Sequence, residues 1–172
     1  MTKYTPVKIL IVALMIAFAI YTYDESGVST KSFDEVSEVM IAAIDQVNLD
    51  AVGQAEDTAS PTQLVRTDAE SGLKKYYGLS ASDYEGVLYY MANDNMSADE
   101  ILIIKLLDES QEDEVLEAIN DRIDARTEVF RGYMPDEAAL LDDSIVVTKS
   151  GFVFFAVSDK AEELLSTFEK AL

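Results

Sequence analysis

Residues 101–108 read ILIIKLLD and residues 152–159 read FVFFAVSD. Each is short, rich in β-branched or aromatic residues and closed by an aspartate, which predicts a strand rather than a buried helix. Ahead of the first, Val87, Leu88, Tyr89, Tyr90 and Met91 lead into the polar turn Asn93-Asp94-Asn95, predicting a hairpin. Residues 145–148 and 152–158, joined across Lys149, Ser150 and Gly151, predict another. A helix follows each hairpin. The first spans 111–130, with Ser110 as cap, Val115, Leu116, Ile119, Ile123 and Phe130 on one stripe, and Gly132 beyond its end. The second starts at Asp159 and carries Leu164, Leu165 and Phe168. The plan strand-strand-helix thus occurs twice. It predicts an α+β fold, with an antiparallel four-stranded sheet made from the two units and helices packed on one face.

Between these units, Pro135 followed by Asp136 and Glu137 fits the first turn of a short helix ending near Leu141. Upstream, Ser32-Phe33-Asp34-Glu35 is a capping box, and Phe33, Val36, Met40, Ala43, Ile44 and Val47 then recur at helical spacing. Residues 50–63 mix Gly, Pro and small polar residues and read as a loop. A further box, Thr67-Asp68-Ala69-Glu70, opens a helix that gathers Leu73, Tyr76 and Tyr77 and stops at Gly78.

The N-terminus is of another kind. Residues 7–23 contain one charge, Lys8, and at about 1.5 Å per residue a helix of that length reaches roughly 25 Å, the short end for crossing a bilayer. Lys3 and Lys8 precede the segment while Asp24 and Glu25 follow it, so the positive-inside rule places the N-terminus in the cytoplasm and the rest outside the cell membrane. A cleaved signal peptide is the competing reading, with Ala17-Phe18-Ala19 as the small-x-small site. An uncleaved transmembrane helix is preferred because apolar residues continue to Tyr21. The expected organisation is an anchor over 1–23, a tether over 24–32 and an extracytoplasmic acidic domain over 33–172.

Composition narrows the chemistry. With Lys3 and Lys8 set apart, 11 of the 13 basic residues remain beside all 33 acidic ones, a net of −22 from Asp24 onward. Such a field repels nucleic acid and anionic headgroups. Cys and His are both absent, so disulfides, thiol chemistry, the usual zinc ligands and His-based proton shuttles are excluded. Neither cofactor nor metal is expected.

Four groups of residues invite a functional reading. Arg122 and Arg126 lie one helical turn apart, and with Lys105 near the end of a neighbouring strand they suggest a basic pocket for a carboxylate or phosphate; Tyr133, next to Gly132 after the helix, is a further binding candidate whose plainer account is a core-edge aromatic. Neutralisation by Asp121 and Glu128 is the plainer account. The turn 93–99 offers oxygen ligands on alternating residues, but it lacks the glycine and the bidentate Glu of a calcium loop. Tyr76, Tyr77, Tyr84, Tyr89 and Tyr90 form a dense set, of which Tyr89 and Tyr90 must point to opposite faces of a strand. The acids Asp108, Glu109, Glu112, Asp113 and Glu114 suit a helix N-terminus.

The segments Tyr-Glu-Gly-Val-x-Tyr-Tyr, Met-x-x-Asp-Glu-Ile-Leu-Ile-Ile-Lys, Ala-Ile-x-x-Arg-Ile, Phe-x-Gly-Tyr and Phe-Val-x-Phe-x-Val-Ser-Asp, within residues 84–160, resemble an uncharacterised family of exported Firmicutes proteins. The resemblance implies a single extracytoplasmic domain behind a lipoprotein signal or an uncleaved anchor, and the family's name records only unknown function. This chain has no cysteine near the membrane and departs from the lipoprotein branch. The sequence therefore predicts a non-enzymatic binding or assembly module of the cell envelope, meeting the membrane through its N-terminal helix and an envelope protein through its domain. A small-ligand receptor or a carboxylate-based enzyme is the alternative.

Overall fold

The central strands are apolar on both of their alternating faces, and two layers of helices form around them. A computed structural model describes residues 31–54 and 61–172. Within the unit Lys31–Leu172 the elements run α1 (Phe33–Gln54), β1 (Leu64–Arg66), α2 (Ala69–Tyr76), β2 (Gly86–Ala92), β3 (Glu100–Lys105), α3 (Glu112–Arg131), α4 (Pro135–Asp142), β4 (Ile145–Lys149), β5 (Phe152–Val157) and α5 (Ala161–Ala171). The sheet is antiparallel throughout, in the order β1-β2-β3-β5-β4.

The sheet and its covering differ from the expected fold in two respects. The sheet has five strands, not four: Leu64, Val65 and Arg66 pair with Ala92, Met91 and Tyr90 along the outer edge of β2. Asn48 of α1 secures this edge, accepting from the Leu64 amide and donating to its carbonyl at 2.8 Å each. The helices also pack on both faces. Every residue of β3 and of β5 is buried, and an unbroken apolar run in a sheet signals two covered faces, whereas a one-sided sheet alternates. Leu102, Ile104, Val153 and Phe155 meet Leu73, Val115, Ile119 and Leu141 from α2, α3 and α4. Ile101, Ile103, Phe152 and Phe154 meet Val36, Met40, Ile44, Leu164 and Phe168 from α1 and α5.

The expected transmembrane helix fell on residues 7–23, which lie outside the described residues. Among the described residues no helix is long and apolar enough to cross a membrane.

Caps fix the helix starts. Ser32 and Glu35 form the expected box, with the Ser32 amide donating to Glu35 at 3.0 Å and the Glu35 amide to Ser32 Oγ at 3.3 Å. At α2 the cap is Asp68, which accepts from the Ser71 amide at 2.9 Å, while Glu70 turns away to accept from the Ala81 amide. Before α3, Asp108 and Gln111 form a box around a 3-10 turn, displacing the expected Ser110 cap. The β4–β5 turn has Ser150 at φ 56° and Gly151 at φ 74°, the pair of positive values that a tight hairpin demands.

Candidate functional site: a buried carboxylate beneath an arginine-floored cleft

Glu100 opens β3 on the face it shares with Leu102 and Ile104, so its side chain projects under α3 with no exposed surface. A buried carboxylate is costly unless each oxygen is met by donors. Here four side chains meet it. Tyr77, just past α2, and Tyr89, on β2, each donate a hydroxyl to Oε1 at 2.6 Å. Arg126 Nη1 reaches Oε2 at 2.6 Å, and Arg122 approaches side-on, with Nε 3.3 Å from both oxygens and Nη2 3.2 Å from Oε2. The i, i+4 spacing on α3 puts both guanidiniums over the start of one strand.

The arginines are held by more than the carboxylate. Arg126 donates to the carbonyls of Ala98 and Ser97 at 2.9 and 3.0 Å, fastening the segment before β3. Arg122 lies against the ring of Tyr76, 4.5 Å from its centroid, a contact that fixes a planar cation. Burial, reinforced by the neighbouring Glu100 charge, holds the phenols of Tyr77 and Tyr89 protonated well above the usual tyrosine range. For Arg122, burial works against the charged form, but Glu100 outweighs it and the guanidinium titrates above its ordinary value.

Over this network lies a cleft of about 330 Å³. Arg122 and Arg126 form its floor, Tyr76, Met91 and Phe130 stand in its walls, and Tyr133 lies at its edge. Val129 and Tyr133 are each 57% exposed, and Met96, in the adjoining turn, is 64% exposed. The mouth is therefore two-sided, apolar along Val129 and Tyr133 and polar along Asp94 and Asn95.

Of the residues nominated from sequence, the structure brings Arg122, Arg126 and Tyr133 to one cleft and leaves Lys105 elsewhere. Lys105 is five positions after Glu100 on the same strand, so it faces the opposite side of the sheet. There it is buried over the Phe152 ring and donates to the Ser150 carbonyl at 3.0 Å. Asp121 and Glu128 are exposed and make no ion pair with either arginine among the described residues; Glu100 is the partner. In the turn 93–99, Asp94 accepts from the amides of Met96 and Ser97 and from Thr62, the bonds of a polar turn. No cluster of acidic residues suited to a metal ion occurs among the described residues.

Residues 57–158 match the family described as a domain of unknown function, DUF4358. The chain belongs to DUF4358. No curated protein and no solved structure matches it. The DUF4358 segment contains all five sheet strands and α2, α3 and α4, hence the entire Glu100 network and the cleft, whereas α1 and α5, which cover the other face, lie outside it.

Sequence reasoning missed Glu100, Tyr77 and Tyr89 as members of one site. The available signal was parity: an acid on the inward face of a strand, with two arginines one turn apart on the helix that follows.

Proposed function

We propose that this DUF4358 protein is a binding module of the cell envelope, held at the membrane through residues 7–23 with its domain on the outer side, and that the cleft over Glu100 is where it binds. One observation carries the reading: both oxygens of Glu100 are engaged by tyrosine and arginine donors, an arrangement that fixes charge in place instead of moving protons. A general base needs a free lone pair aimed at a substrate, and Glu100 spends its own on the protein. The exposed apolar side chains of Val129 and Tyr133 at the cleft support the same reading, since a few apolar groups beside convergent polar ones are the usual build of a binding site. Export rests on the lysines before the apolar segment and the acids after it.

The test is a photo-crosslinking residue at Val129 or Tyr133 in the full-length protein, activated in the native cells, with every adduct weighed by intact mass spectrometry. A discrete adduct, small or large, is expected from these positions and not from Glu162 on α5. Identical patterns from both faces, or none from either, would remove the cleft as the binding site.

A further inference from the structure

The cleft floor has more hydrogen-bond capacity than the protein uses. A guanidinium carries five N–H donors. Arg122 spends its Nε and one side of Nη2 on Glu100, and Nη1 donates to no acceptor among the described residues. That nitrogen is not buried without a partner, for the one buried side-chain polar atom in that condition among the described residues is Thr127 Oγ1. Arg122 lines the cleft and retains 13% of its side-chain surface there. Its plane is fixed on one edge by Glu100 and on one face by Tyr76, so an acceptor arriving in the cleft meets a charge already oriented.

Resting on the reading of the cleft as the binding site, we infer that its occupant is a small monocarboxylate with a compact aromatic or branched apolar body, its carboxylate on Arg122 and its body between Tyr76, Met91 and Tyr133. Three features select this class. Arginine presents paired donors that match a carboxylate. Along one side the lining is Tyr76, Met91, Phe130 and Tyr133, rings and a thioether that take an apolar body, while Asp94, Asn95 and Ser97 line the other side. The volume of about 330 Å³ falls at the low end of small-molecule sites, about 300–1,000 Å³.

Charge excludes the larger anions. The chain is net −22 from Asp24 onward, so a polyanion is repelled over its whole length, while one carboxylate is governed by its nearest partner within a Debye length of about 8 Å. The charged groups at the cleft are Arg122 and Arg126, with Glu100 beneath them and Asp94 in the wall. Asp94 directs both its oxygens into its own turn and to Thr62. Lys75, which donates to the Tyr76 hydroxyl at 2.9 Å, adds a cation beside that wall.

The experiment titrates full-length protein with N-acetyl-phenylalanine, its primary amide and inorganic phosphate, reading heats by calorimetry and the Arg122 Nε–H resonance by NMR. The acid is expected to bind with a Kd of about 0.1–1 mM, shift the Arg122 resonance and exceed the amide by at least about tenfold. Ala125→Trp, on the exposed side of α3 and outside the Glu100 network, is expected to abolish binding by filling the cleft. Equal affinity for acid and amide would overturn carboxylate recognition and leave the cleft as a binding site. Phosphate as tight as the acid would overturn the apolar body, and binding that survives Ala125→Trp would place the acid elsewhere. No binding by any probe would overturn the inference, while adducts at Val129 in cells would still uphold the cleft.

Discussion

At the scale of single residues, Glu100 decides both stability and site geometry. Replacing it with Gln leaves Arg122 and Arg126, only 13% and 12% exposed, around a neutral amide, and breaking a buried pair from one side costs about 3–5 kcal/mol. Urea denaturation of Glu100→Gln should show that loss. Tyr77→Phe and Tyr89→Phe each remove one hydroxyl from the charged oxygen and should cost about 1.5–3 kcal/mol, with a double variant that departs from additivity. The two phenols also set an alkaline limit. Their folded-state pKa is raised by burial and then by Glu100, whereas an unfolded tyrosine titrates near pH 10. Below that pH the contribution is complete; above it the unfolded chain sheds protons that the native state retains, so stability falls as pH rises. Urea midpoints between pH 8 and 11 should fall with pH in the wild type and less steeply in Tyr77→Phe, and parallel profiles would refute the assignment. The arginine pair was legible in the sequence because i, i+4 spacing on an amphipathic helix is unambiguous. Its partner was not, because Ser97-Ala98-Asp99-Glu100 also spells a helix cap, and nothing local distinguishes an acid that caps from one that points inward at the start of a strand.

Among the elements, the strands of the two hairpins and the helices after them were legible, since short β-branched runs and helical stripes follow from local geometry. The number of covered faces was legible too, had the unbroken FVFFAV and ILIIK runs been read for two-sided burial. What local pattern does not contain is β1, three residues whose strand character comes from pairing with β2 and from the Asn48 clamp. The end of α1 is similar: it runs on to Gln54, into a segment whose Gly and small polar residues suggest a loop. Packing overrides propensity in α2 as well. Gly72 sits inside this helix, where Ala is ordinarily better by about 1 kcal/mol. A Cβ at position 72 would lie 2.6 Å from the ring of Tyr89, and that ring is tied by its hydroxyl to Glu100 and cannot swing aside. Gly72→Ala should therefore lower stability by about 1–3 kcal/mol. In Tyr89→Leu, where the ring is gone, the same substitution should become neutral or stabilising. If Gly72→Ala raises the melting temperature in the wild-type background, the ring is not held as the hydrogen bonds imply.

Over the whole molecule the dominant fact is charge. Apart from the Glu100 network, the ion pairs of the described residues are Lys31–Glu35, Lys149–Glu169 and Lys160–Asp159, all between partly exposed side chains. Pairs of that kind contribute about 0–1 kcal/mol each and weaken in salt. Against them stands the mutual repulsion of a net −22 from Asp24 onward, which extends beyond contact distance and is screened first, with a Debye length falling from about 30 Å at 0.01 M to about 8 Å at 0.15 M. The buried pairs of Glu100 with Arg122 and Arg126 are sheltered and should lose little. The balance favours stabilisation by salt: the melting temperature of the full-length protein should rise by about 2–4 °C between 0.01 and 0.3 M sodium chloride, the size expected for about 1 kcal/mol in a chain of this length. Chloride is the right salt for the test, because sulfate strengthens apolar burial in any protein and would give a rise without any charge effect. Tyr77→Phe, which changes no surface charge, should show the same salt slope from a lower starting point. A flat or falling melting temperature in the wild type would mean that the surface pairs outweigh the repulsion, and that the acids are spread widely enough for an anionic ligand to approach the cleft without the penalty that selects against polyanions.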